Sequence, residues 1–93
     1  MKEFRYLYKI KVTGRVQGVG FRHACLREAR FLGIHGYVKN QPEGSVYIEA
    51  EGTTEQLGQL VEWCKRGPGY GTVEDVFVET SPLLNYTSFV VRY

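Results

Sequence analysis

The sequence predicts an α+β fold in which two helices cover one face of an antiparallel β-sheet. Two observations lead to this prediction. Apolar residues alternate with polar ones along several short segments, as in half-buried strands. In two longer segments apolar residues recur every three to four positions, as along one side of a helix. These segments follow the order β-α-β-β-α-β, with one further strand at the end.

Length and composition indicate a small globular domain. The chain has 93 residues, of which 43% are hydrophobic and 24% are charged. A chain of this length buries roughly 60–65% of the surface that its unfolded form exposes, enough for one core. No apolar run approaches the ~20 residues of a membrane span, and residues 1–5 lack the features of a signal peptide. We therefore expect a single domain over residues 1–93 and no membrane partner.

The first part of the chain contains a strand and a helix joined by a glycine-rich connection. Alternation over residues 6–13 predicts a strand. Its core face is expected to carry Tyr6, Tyr8, Ile10 and Val12, and its other face Leu7, Lys9 and Lys11. From Phe21 the spacing becomes helical, with an apolar stripe formed by Phe21, Cys25, Ala29 and Leu32. Gly33 is expected to end this helix, because glycine readily adopts a positive φ.

The second part contains a hairpin, a helix and two strands. Strands near residues 35–40 and 45–51 flank a turn at residues 41–44. Thr53 and Thr54 are candidate N-caps for a second helix, whose stripe consists of Leu57, Leu60, Val61 and Cys64. Residues 67–71 break this helix, and the last strands are predicted at residues 73–80 and 87–93. The result is a ferredoxin-like (split β-α-β) sandwich, an antiparallel sheet with two helices on one face.

Charge is distributed unevenly along the chain. Residues 1–40 carry nine basic and two acidic side chains, a net charge of +7, whereas residues 41–93 carry three basic and eight acidic ones, a net charge of −5. Such asymmetry is compatible with an anionic partner. It is equally compatible with interleaved strands that mix both halves on one surface.

The two cysteines have no metal-ligand spacing. Cys25 and Cys64 lie 39 positions apart and form no close sequence cluster with His23 or His35, so we expect no metal site. So few cysteines favour a reducing, cytoplasmic location. Both lie on predicted core stripes, and antiparallel helices would bring them to the same end of the helical layer. A disulfide between them therefore stays open at this point.

The glycine-rich connection VTGRVQGVGFR, residues 12–22, is the segment most indicative of function. Glycines at 14, 18 and 20 allow successive backbone N–H groups to converge on one anion, and the helix that follows adds its free N–H groups and positive dipole end. Arg22 adds a planar fork of donors suited to phosphate oxygens. The Walker and dinucleotide motifs do not fit, and the loop has no nucleophilic side chain. The segment predicts a small-dianion site; the structural alternative is a tight connection with an exposed arginine.

Two motifs resemble the signatures of the acylphosphatases. The first is GRVQGVGFR at residues 14–22, and the second is GYVKNQPEGSVYIEAEG at residues 36–52. They occur in the expected order, and the resemblance covers essentially the whole chain. One departure is Glu43, which stands where Asp or Asn is often found before the glycine.

The resemblance implies hydrolysis of small-molecule acyl phosphates to a carboxylate and inorganic phosphate, with no metal and no cofactor. It implies that Arg22 binds the phosphoryl oxygens and that Asn40 holds the attacking water. It further implies a phosphate-binding loop formed by Arg15, Val16, Gln17, Gly18, Val19, Gly20 and Phe21. Inorganic phosphate would then be a product or an inhibitor, and we expect a monomer.

Two functions without catalysis remain as alternatives on the same fold. One is a module that binds phosphate and does not turn over. The other is an RNA-binding domain, which would need stacked aromatic residues on the exposed face of its central strands. On that face the third strand carries Tyr47 beside Glu49 and Glu51, which we expect to be solvated charges that repel a phosphate backbone. We therefore expect no nucleic-acid partner.

Overall fold

The structure, a computed structural model, describes residues 4–93; residues 1–3 of the predicted domain lie outside the described residues. The predicted order of elements is confirmed. The elements are β1 (Arg5–Arg15), α1 (Phe21–Leu32), β2 (His35–Asn40), β3 (Val46–Thr53), α2 (Thr54–Arg66), β4 (Thr72–Ser81) and β5 (Phe89–Arg92). β1 and β4 are longer than predicted, and β5 is shorter. Across residues 4–93, neither helix is both long enough and apolar enough to cross a bilayer.

The five strands form one sheet in the order β4-β1-β3-β2-β5. β1 pairs antiparallel with β3 and β4, and β2 pairs antiparallel with β3, as predicted. β5 instead pairs parallel with β2, so the sheet is mostly rather than wholly antiparallel. The reason is that β4 and β5 occupy opposite edges, and the intervening residues 82–88 carry the chain from one edge to the other.

The core lies between the two helices and one face of the sheet. Phe21, Cys25 and Ala29 of α1 are buried there, and so are Leu57, Leu60 and Cys64 of α2. Both cysteines are free thiols. Burial raises the pKa of Cys64 to about 12. Burial is also the main cause that raises the pKa of Cys25. These thiols are therefore neutral near pH 7 and pack as small apolar side chains.

The helix ends follow the sequence prediction. Gly33 adopts a left-handed conformation with φ +78° at the end of α1, and its N–H donates to the carbonyls of Ala29 and Arg30. Thr53 caps α2 through a capping box: its side chain accepts from the N–H of Gln56, and the Gln56 side chain accepts from the N–H of Thr53. The N–H of Gln56 in the first turn of α2 and the N–H of Thr53 thus find partners within the protein.

The prediction that Glu49 and Glu51 are solvated is wrong. Residues 82–88 cover this part of the sheet, so Glu51 is fully buried and Glu49 is 8% exposed. The Glu51 carboxylate accepts hydrogen bonds from the backbone N–H groups of Leu84, Asn85 and Tyr86. Leu7, which was assigned to the same outward face, is also fully buried. The covering segment is remote in sequence, so strand alternation could not reveal it.

Glu49 accepts hydrogen bonds from the hydroxyls of Tyr47, at 2.7 Å, and Tyr86, at 2.6 Å. Burial alone would raise the pKa of this carboxyl, but the hydrogen bonds from tyrosine outweigh burial and lower the pKa below its ordinary value. A carboxylate with a lower pKa in the folded state stabilises the fold above its unfolded-state pKa. That stabilisation is lost as the pH falls through the folded-state pKa.

We expect Glu49→Gln to reduce the free energy of unfolding at pH 7 by roughly 1–3 kcal/mol, because a charge-assisted acceptor is lost. The free energy of unfolding of the parent should fall on acidification from about pH 6 to about pH 3, and that of the variant should fall less. Urea denaturation at stepped pH measures both effects. Glu79→Gln, at an exposed carboxylate of β4, is the matched control. Parallel pH profiles for parent and Glu49→Gln would contradict the expectation.

Candidate active site

The connection between β1 and α1 is built around glycines. The register of β1 on β4 shifts between Thr13 and Gly14, and Gly14 has φ +122°. A Cβ atom at Gly14 would lie 2.2 Å from the carbonyl oxygen of Thr72, so only glycine allows the two backbones to approach here. Gly20, with φ +79°, directs the chain into α1 as its N-cap. The loop therefore turns sharply from the strand into the helix.

The N-terminus of α1 has no side-chain capping hydrogen bond. Gly20 offers no side chain, and the first turn contains no acidic residue. Ala24 is the first residue of α1 whose N–H donates a hydrogen bond, to the Gly20 carbonyl at 3.1 Å. Within residues 4–93, the N–H groups of residues 17–23 have no acceptor in the protein. Free donors at the positive end of a helix dipole form a site for an anion.

The side chains of the predicted loop residues are mostly engaged elsewhere. Val16 and Phe21 are buried in the core, and the Phe21 ring packs edge-on against Trp63 with centroids 5.2 Å apart. Val19 packs against the core as well, whereas Arg15 is exposed at the end of β1. These anchors hold the loop, whereas Gly18 is exposed.

The Gln17 side chain joins the loop to the turn between β2 and β3. Its Nε2 donates to the carbonyl oxygens of Gln41, at 2.7 Å, and Ser45, at 2.9 Å. Gln41 directly follows Asn40, so these bonds bring the end of β2 to the loop. The resemblance placed Gln17 in the phosphate-binding loop and gave no role to its side chain, and no local pattern indicates this long-range contact.

Asn40 ends β2 with an unpartnered acceptor. Its Oδ1 is buried and has no hydrogen-bond partner in residues 4–93. A buried polar atom without a partner costs about 1–3 kcal/mol, so most are paired within the protein. This oxygen is therefore available to a water molecule or a substrate group beside the loop.

Arg22 is the second residue of α1 and is half-buried. Its guanidinium carbon lies 4.8 Å from the centroid of the Tyr93 ring. In the described part of the chain, the one ion pair joins Lys65 to Glu62, so Arg22 has no carboxylate partner there. Its charge and its five N–H donors remain available to an anion.

Within the described residues, the two histidines and the acidic side chains show no arrangement typical of a catalytic or metal site. His23 is exposed on α1, and His35 Nδ1 lies 3.1 Å from the carbonyl of Tyr86, where it holds the segment that leads to β5. No group of three or more His, Cys, Asp or Glu side chains among residues 4–93 is arranged to hold a metal ion. The loop itself, residues 14–20, supplies no nucleophilic side chain.

Comparisons with known proteins identify one family. The sequence model of the acylphosphatase family matches residues 8–91. An acylphosphatase of Archaeoglobus fulgidus is 49% identical over 85 residues, covering 91% of this chain and 96% of that protein. One from a Synechococcus strain is 42% identical over 85 residues, covering 91% and 85%. The crystal structure of the Bacillus subtilis acylphosphatase superposes with a TM-score of 0.92 at 40% identity, covering 95% of this chain and 99% of that one.

We expect Gln17→Met to lower the free energy of unfolding by about 1–2 kcal/mol, because two carbonyls lose their donor while the side-chain length is kept. Phosphate affinity should fall several-fold as the loop loosens, which titration calorimetry can measure. The exposed Gln59→Met on α2 is the matched control. Unchanged phosphate affinity would show that the loop does not need this attachment.

Proposed function

This chain belongs to the acylphosphatase family and hydrolyses acyl phosphates, and from that premise we propose that residues 15–21, Arg22 and Asn40 form its active site. The observation that carries the proposal is a set of uncommitted polar groups in one place. The uncapped N-terminus of α1 and the unpaired guanidinium offer donors, and the Asn40 Oδ1 offers an acceptor.

The donors bind the phosphoryl group. Free N–H groups of the loop and the fork of Arg22 donate to the phosphoryl oxygens, with the helix dipole adding positive potential. Phosphoryl transfer passes through a loose transition state whose charge is spread over these oxygens. Fixed donors stabilise that charge without rearranging during the reaction. Positioning and electrostatics therefore supply most of the acceleration.

Asn40 orients the water. An amide accepts and donates hydrogen bonds but cannot remove a proton near neutral pH, so its contribution is geometric. The water oxygen forms a bond to phosphorus while the bond from phosphorus to the acyl oxygen breaks. The water proton passes to a phosphate oxygen, and the carboxylate leaves. Because the conjugate acid of this leaving group has a pKa of about 4, no general acid is needed to protonate it.

Further features follow from the same proposal. Inorganic phosphate, which offers the same oxygens, would bind as a product and inhibit. The loop, Arg22 and Asn40 all come from one copy of the chain, so the proposed site needs no residue from a second copy, and we propose a monomer with a single domain over residues 1–93. Two free, buried thiols support a reducing location such as the cytoplasm.

We expect Arg22→Ala to abolish phosphate binding and to lower kcat/KM for benzoyl phosphate by roughly 100-fold or more, because the charged fork is lost. Arg22→Lys should also fail, since it keeps the charge without the planar fork. EDTA in the assay inhibits contaminating metal-dependent phosphatases. The matched control is Arg27→Ala, at an exposed arginine of α1. Near-parent activity in Arg22→Ala would refute the assignment.

We expect Asn40→Ala to lower kcat by roughly 100-fold while phosphate affinity stays near that of the parent, because the water loses its orientation and the anion keeps its donors. Removal of a buried unpartnered oxygen should leave the free energy of unfolding equal or higher. Steady-state kinetics, calorimetry and urea denaturation separate these effects. Equal losses in kcat and in phosphate affinity would instead place Asn40 in anion binding.

A further inference from the structure

We propose that Tyr93 is a positioning residue for Arg22: its ring holds one face of the guanidinium so that the N–H groups at the edge point toward the phosphoryl site. The observation is the position of the guanidinium over the Tyr93 ring, with the guanidinium carbon 4.8 Å from the ring centroid. The inference rests on the proposed role of Arg22 in binding the phosphoryl group.

The parallel pairing of β5 with β2 brings Tyr93 to the site. Lys39 lies opposite Arg92 in the register, so Tyr93 follows at the level of Asn40. Successive side chains of an extended chain point to opposite faces. Arg92 lies on the face away from the helices, with its guanidinium carbon 3.8 Å from the Tyr37 ring centroid. Tyr93 is therefore directed to the side of α1, where Arg22 lies in the first turn of the helix.

Helix α1 and β5 are attached at a second point, remote from the site. The Arg30 Nη2 donates to the Phe89 carbonyl at 3.2 Å. Arg30 lies eight residues after Arg22, which is about two helical turns. The two arginines thus hold opposite ends of the same strand, and only the contact at Arg22 reaches the loop. Arg30 therefore offers a control for general loosening of β5.

An aromatic partner suits an arginine that must bind an anion. A carboxylate would orient the guanidinium, but it would occupy N–H donors and offset the positive charge. A ring contacts the guanidinium face through a cation–π interaction and leaves every edge donor free. A side chain held in this way has less conformational freedom to lose when the anion binds.

The contact can be removed with little effect on folding, because Tyr93 is 91% exposed. We expect Tyr93→Leu to weaken inorganic phosphate binding and to raise KM for benzoyl phosphate by about two- to fivefold, the range of an exposed cation–π contact. The Tm should stay at the parent value. Tyr93→Phe keeps the ring and should restore both binding constants. Phe31→Leu, at an aromatic residue of α1 that is 85% exposed, is the matched control.

Three outcomes would overturn the proposal. Parent-like phosphate affinity in Tyr93→Leu would show that Arg22 needs no partner. An affinity in Tyr93→Phe as weak as in Tyr93→Leu would assign the effect to the hydroxyl. An equal loss in Arg30→Ala would assign it to the attachment of β5. Failure of the proposed function is distinguishable from these, because it would appear as unchanged phosphate affinity in Arg22→Ala.

Discussion

The two hydrogen bonds from the Gln17 side chain are the interaction on which the site depends. They connect the β1–α1 loop to the turn that follows Asn40. In the proposed site, the loop and Arg22 supply donors to an anion and Asn40 supplies an acceptor to the nucleophile, so the proposed chemistry requires the two parts to meet. An internal amide serves this purpose well, because it satisfies two turn carbonyls without adding a charge that would compete with the substrate.

Buried carboxylates on the other face of the sheet set the path of the chain toward the same site. Glu51 binds three successive backbone N–H groups of residues 84–86, and Glu49 binds the hydroxyl of Tyr86. These bonds hold the segment that crosses the sheet from β4 to β5. The crossing makes β5 parallel to β2 and brings Tyr93 to Arg22. The buried carboxylates on one face of the sheet thereby help to place Tyr93 against Arg22 in the proposed active site.

Polar groups that stabilise the fold have hydrogen-bond partners within the protein, whereas some polar groups of the proposed site have none within residues 4–93. The start of α2 has a capping box, and the buried carboxylate of Glu51 has three donors. The start of α1 and the Oδ1 of Asn40 lack such partners in the described residues. An acyl phosphate and a water molecule would supply them. Because buried polar groups are usually paired, the unpaired groups at the start of α1 and at Asn40 favour a binding role.

The sequence by itself determined the order of elements, the buried helix stripes, a cap at Thr53 or Thr54 and the glycine-rich loop with Arg22, because each depends on local spacing or on a short motif. Tertiary structure alone decided the parallel direction of β5, the burial of Glu49 and Glu51, and the contacts of Gln17 and Tyr93. Each of these arises between segments remote in the sequence. The periodicity and composition of one segment do not indicate which remote segment it contacts. Only the packing of the folded chain therefore specifies these contacts.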